Sequence, residues 1–390
     1  MTTSPVPDTL IHWIENTLPC SLRWHSENGA PPPKRVQIAD DTMTADAAYR
    51  LTCEGCALLW RGDFQNAKQL LQALARRIDR KKAEKVDKKK DPSTTAKTTA
   101  TPAFHLYRQA QAQKARVLSM LLIPFDENYQ IPLRRAPDVS LACQEAYGHS
   151  STPFVASLRE LLGLIGAHEW RKTGVSIASL EAKIHPHYGV FSPIRGEYLE
   201  LLANAPLPSL TLAFDIGTGT GVIAGLLAKR GVKKIIATDL DPRALVCAQE
   251  NLSHLGCQSQ VELIQTNLFP EGRAPLIVCN PPWLPARPNT TIEHAVYDPE
   301  SQMLRGFLEG VSAHLEPEGE AWLIMSDFAE HLALRQADDL LAWISAGNLQ
   351  LIEKHDIKPH HPKTKDGDDP LHSARAAEVT SLWRLKSKTS

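Results

Sequence analysis

The second half of the sequence predicts an α/β protein with a Rossmann-like, doubly wound and mostly parallel sheet. Two observations support this prediction. Short apolar runs alternate with longer amphipathic stretches at the spacing of strand–helix–strand units, whose crossovers are right-handed. The first of these runs, Leu212–Ile216, leads directly into a glycine-rich turn. A short apolar run that ends at glycines is typical of a buried parallel strand.

The remaining elements follow in order along the chain. Residues 222–230 form a predicted helix that ends at Gly231, and residues 234–238 form a second strand that ends at Asp239. Asp241 and Pro242 suit the N-cap and the first position of the next helix. Later strands are predicted at residues 261–264, 275–279, 321–325, 349–357 and 379–385, and helices at 299–315 and 328–346.

The glycine turn is the first candidate binding element. Gly217, Gly219 and Gly221 lack a Cβ, so the backbone can turn sharply and a ligand can lie against it. A dinucleotide fingerprint would place its third glycine at position 222, which is Val222 here. This favours a compact nucleoside over a pyrophosphate, with a ligand-free turn as the alternative. Asp239 lies where a ribose hydroxyl pair is held in Rossmann-like sheets.

The second candidate element is Asn280-Pro281-Pro282-Trp283, directly after the predicted strand at 275–279. Two prolines fix the backbone of this loop and remove N–H donors from it. An amide side chain precedes them, and a large aromatic ring follows. Alone the tetrapeptide is an ordinary turn sequence, but its place after an apolar strand and the glycine turn favours a functional role.

Together these two segments resemble the working loops of a class I S-adenosylmethionine (SAM)-dependent methyltransferase of the Asn-Pro-Pro-aromatic type. The resemblance covers residues 185–390 and implies a seven-stranded sheet with an antiparallel C-terminal edge. It also implies SAM as the cofactor. The cofactor-binding residues that it implies are Asp215, Gly217, Thr218, Gly219, Gly221, Asp239, Asn267 and Asn280. In the family an acid commonly occupies the place of Asn267.

The resemblance assigns the chemistry to Asn280, Pro281, Pro282 and Trp283. A planar nitrogen has a conjugated lone pair, so acceptors for its N–H hydrogens must turn it towards the methyl group. Asn280 Oδ1 and the Pro281 carbonyl are the expected acceptors, and Trp283 offers a face on which a flat group can stack, which contributes about 1–3 kcal/mol for a base. Alignment itself can supply several kcal/mol of the rate enhancement, on the order of 7 to 11 at best.

Three functions are compatible with these residues. The first is an N-methyltransferase that acts on a macromolecule, with a base amine of rRNA or tRNA as the leading acceptor. The second acts on a protein glutamine of a release factor or ribosomal protein. The third is a SAM-binding module without catalysis, against which the intact Asn280–Trp283 loop argues. The partner is therefore expected to be RNA or a ribosomal or translation-factor protein.

Three regions are expected from changes in composition. Residues 1–150 are predicted to form an N-terminal domain in the place of a substrate-recognition domain. Within it, residues 80–102 are predicted to be a disordered basic linker, because residues 76–97 hold ten Lys or Arg and four acids. Residues 151–187 are expected to form a helical bridge, and 188–390 the methyltransferase domain.

Overall composition excludes several other classes. The 43 basic and 44 acidic residues nearly balance, so the overall charge does not indicate a polyanionic binding partner. The seven scattered cysteines suit a reduced compartment, and neither Cys53-x-x-Cys56 nor the pair His355 and His360 completes a metal site. The sequence shows no signal peptide and no apolar stretch long enough to span a membrane. A cytoplasmic protein without metal or membrane partners is expected.

Overall fold

The computed structural model describes residues 9–89, 100–150, 152–194, 196–288, 293, 295–360 and 369–388, without the side chains of residues 81–89 and 100. The chain divides into two compact units. Unit 1 comprises Met1–Thr98 and His105–Glu169, and unit 2 comprises Thr99–Phe104 and Trp170–Ser390. Each unit contains its own sheet.

Unit 1 is built on a mixed six-stranded sheet of order β1-β2-β6-β5-β4-β3. Its central strands are buried and continuously apolar, as expected for strands that are covered on both faces. The strands are β1 (Leu10–Glu15), β2 (Leu18–Trp24), β3 (Arg35–Ala39), β4 (Cys56–Trp60), β5 (Leu121–Phe125) and β6 (Phe154–Ser157). The helices that lie wholly or mostly in this unit are α1 (Ala45–Cys53), α2 (Phe64–Lys89), α3 (Ala100–Leu118), α4 (Ser140–Tyr147) and α5 (Leu158–Thr173).

The basic segment differs from the expectation of disorder over residues 80–102. Helix α2 continues to Lys89 and α3 begins at Ala100, so residues 80–89 and 100–102 are helical. The physical reason is that α2 contains neither Gly nor Pro, and that Lys, Arg, Ala and Glu are all favourable in helices. Residues 90–99 of the predicted linker lie outside the described residues.

The segment 151–187 contains more strand than a helical bridge would. Besides α5 it holds β6, which pairs with β5 and β2, and the short antiparallel hairpin of β7 (Val175–Ile177) and β8 (Ala182–Ile184). Strand β6 is completely buried and apolar except for Ser157, and its four residues are too few to show a helical or strand period.

Unit 2 contains the seven-stranded sheet that the sequence and the resemblance predicted, in the order β11-β10-β9-β12-β13-β15-β14. The first five strands are parallel, and β15 and β14 are antiparallel to their neighbours. This confirms the doubly wound fold with an antiparallel C-terminal edge. The strands are β9 (Leu212–Ile216), β10 (Lys234–Asp239), β11 (Val261–Gln265), β12 (Ala274–Cys279), β13 (Leu315–Ser326), β14 (Leu349–Ile357) and β15 (Thr380–Ser387).

Helices cover both faces of this sheet and bury two apolar clusters. One cluster contains residues of α7 and α8, and the other contains residues of α9 and α11. Because both faces are covered, β9 and β12 are almost completely buried. The helices of unit 2 are α6 (Glu197–Asn204), α7 (Val222–Lys229), α8 (Pro242–His254), α9 (Gln302–His314), α10 (Phe328–His331), α11 (Asp339–Ala346) and α12 (His372–Ala377).

One predicted helix of unit 2 is interrupted. The sequence predicts a single helix over residues 328–346, whereas α10 ends at His331 and α11 begins at Asp339. Ala333 adopts a left-handed conformation with φ of 53° between them. The Arg335 side chain is buried there and donates to the Glu330 carboxylate and the Ser326 carbonyl. The chain between α10 and α11 is therefore not helical, and the buried guanidinium of Arg335 and its hydrogen-bond partners lie there.

Candidate functional site

The carboxyl ends of the parallel strands β9, β10 and β12 meet at one edge of the sheet in unit 2. A cavity of about 440 Å³ opens there, at the place where α/β sheets generally bind ligands. Most of the predicted site residues line it. They are Gly217, Thr218, Gly219, Asp239, Asn267, Asn280, Pro281, Pro282 and Trp283, whereas Asp215 and Gly221 are not among the lining residues.

The glycine turn requires all three glycines for separate reasons. Gly217, Gly219 and Gly221 have φ angles of 72°, 55° and 77°, a region that is strained for other residues. A Cβ on Gly217 would lie 2.6 Å from Met303 Cε, and one on Gly221 would lie 3.1 Å from Ala248 Cα. A Cβ on Gly219 would occupy open space instead. Gly219 therefore leaves room at the cavity wall, and the other two glycines permit close packing.

Asp215 lies beneath the turn and is fully buried. Its Oδ2 accepts hydrogen bonds from Thr218 Oγ1 at 2.6 Å and from the Ala224 amide at 3.1 Å, so the carboxylate ties the turn to α7. Oδ1 is buried and has no hydrogen-bond partner among the described residues. Burial raises the pKa of Asp215 to about 7 against these two hydrogen bonds, which lower it. The carboxyl supports the cavity wall from below.

Asp239 lies at the end of β10 and faces the turn. Its Oδ2 accepts a hydrogen bond from the Gly219 amide, and its Oδ1 accepts one from the Asp241 amide, both at 2.9 Å. Burial raises the pKa of this carboxyl, while the two backbone donors oppose the rise. Asp241 accepts from the Arg243 amide at 2.9 Å and is the N-cap of α8, which confirms the capping interpretation. The two acids therefore differ in role although both line the cavity.

The Asn280–Trp283 loop closes the other side of the cavity. Trp283 Nε1 donates a hydrogen bond to Asn280 Oδ1 at 3.1 Å, which the sequence did not predict. The indole is half-buried and packs against both apolar clusters of unit 2. Trp283 is therefore an anchored part of the wall, and the Asn280 carboxamide is held by it.

The backbone after this loop is fixed by Asp298. Leu284 forms a parallel bridge with Tyr297, and the Asp298 amide donates to the Leu284 carbonyl at 2.8 Å. The buried Asp298 carboxylate in turn accepts from the Met303 and Leu304 amides at the start of α9. Burial raises the pKa of Asp298. Through Leu284 and Asp298, the Asn280–Trp283 loop is thus connected by hydrogen bonds to the start of α9, where Met303 lines the cavity.

A segment before α6 forms a further wall of the cavity. His187 Nε2 lies 2.8 Å from Glu250 Oε2, and the His185 amide donates to Asn251 Oδ1 at 2.7 Å. These contacts hold the segment on α8, so that Val190 and Phe191 line the cavity.

Several lining residues were not found from the sequence. Leu240 and Thr266 each directly follow the end of a parallel strand, and this position could have predicted that they line the cavity. Tyr198 on α6 and Met303 on α9 come from other elements and gave no signal. Burial raises the pKa of Tyr198 well above its usual range, with the nearby Asp215 as a further cause.

The residues present fit a nucleoside with a charged tail. A glycine turn with open space at Gly219, a carboxylate at Asp239 and the amide of Asn267 surround the cavity on the β10 and β11 side. Hydroxyls suit the carboxylate, and an apolar surface from Val190 and Leu240 suits a flat base. Within the described ranges, no group of three or more His, Cys, Asp or Glu residues could hold a metal ion.

Comparison with known proteins agrees with this geometry. Residues 181–337 match the family model of the methyltransferase small domain. The chain is 37% identical over 144 residues to the release factor glutamine methyltransferase of Cereibacter sphaeroides, covering 33% of this chain and 51% of that protein. It is 31% identical over 121 residues to a putative protein N5-glutamine methyltransferase of Methanocaldococcus jannaschii, covering 30% and 59%.

A third relative is named as an enzyme that methylates tRNA. The chain is 26% identical to the tRNA1(Val) (adenine(37)-N6)-methyltransferase of a Shewanella species, covering 40% of this chain and 66% of that protein. A solved methyltransferase structure from Pyrococcus furiosus has a TM-score of 0.37 and 20% identity, covering 57% of this chain and 98% of that chain. The chain thus spans only about half to two thirds of the length of these three curated relatives.

The match confirms the resemblance that the sequence indicated. Residues 181–337 are thus similar to the methyltransferase small domain, and this similarity, together with the named relatives, indicates SAM as the cofactor. All seven cysteines are described, and all are free thiols. Among the helices of the described residues, none has the length and apolarity that a membrane crossing requires.

Proposed function

We propose that this protein is a SAM-dependent N-methyltransferase that modifies a planar nitrogen of a macromolecule, with a base amine in rRNA or tRNA as the acceptor. The observation that carries the proposal is the position of Asn280. Its carboxamide lies at the carboxyl end of β12, on the wall of the cavity that the glycine turn also lines. An N–H acceptor on the wall of a cavity whose lining residues suit a nucleoside is what nitrogen methylation requires.

The cofactor would be held by residues on the β9, β10 and β11 side of the cavity. We assign the ribose hydroxyls to Asp239, the adenine amine to Asn267 and the tail to the turn of Gly217, Thr218 and Gly219. Bound SAM supplies an electrophilic methyl group on a positively charged sulfur. Asp215 and Gly221 support this turn from beneath, through the Ala224 amide and the close approach to α8.

The acceptor would be oriented by the Asn280–Trp283 loop. Asn280 Oδ1 accepts an N–H hydrogen of the acceptor, which turns the nitrogen lone pair away from its conjugated plane. Pro281 and Pro282 keep the loop backbone rigid, because their φ angles are fixed by the ring. Holding two reacting groups in alignment can remove several kcal/mol from the barrier, roughly 7 to 11 at best. No general base with a shifted pKa is required for this orientation.

A protein glutamine is the second candidate acceptor, and a specific observation favours it. The two relatives with 37% and 31% identity are named as glutamine methyltransferases, whereas the tRNA adenine methyltransferase is 26% identical. The basic segment of residues 76–97 favours RNA. A carboxamide and an exocyclic amine both present N–H hydrogens to Asn280, so the catalytic loop serves either acceptor.

The test uses the full chain with radiolabelled SAM on ribosomes, total RNA and translation factors from a strain that lacks this protein. We expect Asn280→Ala to reduce turnover by about 10²–10³, as when one positioned transition-state interaction is removed, with SAM affinity within a few-fold of wild type. Asn267→Ala is the matched control. It should weaken SAM binding and leave turnover at saturating SAM nearly unchanged.

The fate of the label separates the acceptors. Label that is released by ribonuclease supports the RNA proposal, and label that is released by protease supports the glutamine alternative. An unchanged rate for Asn280→Ala would contradict the assigned role of the loop.

A further inference from the structure

The hydrogen bond between Trp283 and Asn280 has chemical consequences of its own. Trp283 Nε1 lies 3.1 Å from Asn280 Oδ1. An indole nitrogen can only donate, whereas a carboxamide has one oxygen that accepts and one nitrogen that donates. The contact is therefore favourable only when the oxygen of Asn280 faces Trp283. It selects one of the two orientations of the carboxamide.

The same oxygen can still serve an acceptor substrate. A carbonyl oxygen has two lone pairs, so Oδ1 can accept a second hydrogen bond while Trp283 occupies the first. Hydrogen bonds in a network polarise one another, so the bond from Trp283 and the bond from the substrate to Oδ1 affect each other's strength. An Asn280 turned over would present its NH₂ group to the substrate instead and would repel an N–H hydrogen.

Trp283 is suited to this role because its own position is fixed. The indole packs against both apolar clusters of unit 2, on either side of the sheet edge. Pro281 and Pro282 separate it from Asn280 by two residues of restricted backbone. Tyrosine or phenylalanine at this place would retain an aromatic face but would have no N–H on the ring edge near Cβ.

We propose that Trp283 is a positioning residue, whose indole N–H fixes the Asn280 carboxamide with Oδ1 towards the acceptor nitrogen. The inference rests on the proposed methyltransferase function and deepens it. It restricts the acceptor to a nitrogen that carries at least one hydrogen, such as an exocyclic amine or a carboxamide. A ring nitrogen without hydrogen offers nothing to Oδ1 and is excluded.

The decisive variant removes the N–H without changing the shape. Replacement of Trp283 by 3-benzothienylalanine puts sulfur in place of the indole nitrogen and keeps the packing and the flat face. We expect kcat to fall about 3- to 10-fold, the range of one neutral hydrogen bond, with unchanged affinity for SAM. The same replacement in the Asn280→Ala background should cause no further loss, because Trp283 acts through Asn280.

Additive losses in the two backgrounds, or an unchanged kcat for the benzothienyl protein, would overturn the proposal in favour of stacking alone. Trp283→Phe provides the genetically simple version of the same cycle.

A spectroscopic measurement separates failure of this inference from failure of the proposed function. In protein labelled with ¹⁵N-tryptophan, the Trp283 indole resonance is identified by its absence in Trp283→Phe. Asn280→Ala should move this resonance upfield, as expected when a hydrogen bond is removed, and an unmoved resonance would overturn the proposal. If the wild type transfers no methyl group to RNA or protein, the proposed function fails, while the resonance still tests the hydrogen bond.

Discussion

Asp215 makes the stability of unit 2 dependent on pH in an unusual direction. Its pKa rises from 3.8 to about 7 because the carboxyl is buried, and Oδ1 has no hydrogen-bond partner among the described residues. Between these two values the unfolded chain is ionised while the folded carboxyl still holds its proton. The unfolded state then binds fewer protons, so the free energy of unfolding falls as the pH rises.

The magnitude follows from the size of the rise. A pKa that increases from 3.8 to about 7 corresponds to a loss of up to about 4 kcal/mol once the pH exceeds both values. About 2–3 kcal/mol of this loss should occur between pH 5 and pH 8. Asp215→Asn resembles the protonated acid in shape and removes the dependence. Its oxygen can still accept from Thr218 and Ala224.

The assay is urea unfolding of the full chain, followed in peptides of β9 and α7 by hydrogen exchange, for wild type and Asp215→Asn at several pH values. We expect the free energy of unfolding of Asp215→Asn to increase relative to that of the wild type as the pH rises from 5 to 8. Asp241→Asn removes the same formal charge from a partly exposed cap and controls for net charge. Parallel profiles for wild type and Asp215→Asn would refute the reasoning.

Two further predictions concern binding. Asp239→Ala should weaken SAM binding by about 10- to 150-fold, the effect of removing one charged hydrogen-bond partner, while Asp241→Asn should remain within a few-fold because asparagine also caps α8. Calorimetry with SAM and NAD measures this, and tight NAD binding without SAM binding would contradict the cofactor assignment. If the basic segment contacts RNA, replacing its central lysines by glutamine should lower the log–log salt slope of RNA binding by about 0.7–0.9 for each phosphate that is no longer neutralised, and arginine at the same positions should not. Equal slopes for the glutamine variant and wild type would indicate a solvated segment, which favours the glutamine acceptor. The lysines are Lys81, Lys82, Lys85, Lys88, Lys89 and Lys90.

The sequence alone predicted most of the strands of unit 2 and a doubly wound, mostly parallel sheet, and the family resemblance added the antiparallel C-terminal edge. Leu212–Ile216 and the later apolar runs are local signals, because a buried parallel strand is apolar along its whole length and a turn with positive φ requires glycine. The cap at Asp241 and the loop at Asn280 are likewise encoded within a few residues. Because parallel strands end at one edge of the sheet, these local signals also predicted which residues would gather there.

The tertiary structure decided what each of these side chains touches. The position of Asp215 beneath the cavity wall and the presence of Tyr198 and Met303 at the cavity depend on packing between elements that are distant in the sequence. The Trp283 indole that donates to Asn280 lies in the same loop, but its position depends on packing against both apolar clusters. Two local expectations differ from the structure. Residues 80–89 and 100–102 of the predicted linker are helical, because their side chains favour helices. The helix predicted over residues 328–346 ends at His331 and begins again at Asp339, and the buried Arg335 lies between the two parts. Local patterns predict most of the strands and helices, whereas burial and hydrogen-bond partners are properties of the assembled fold.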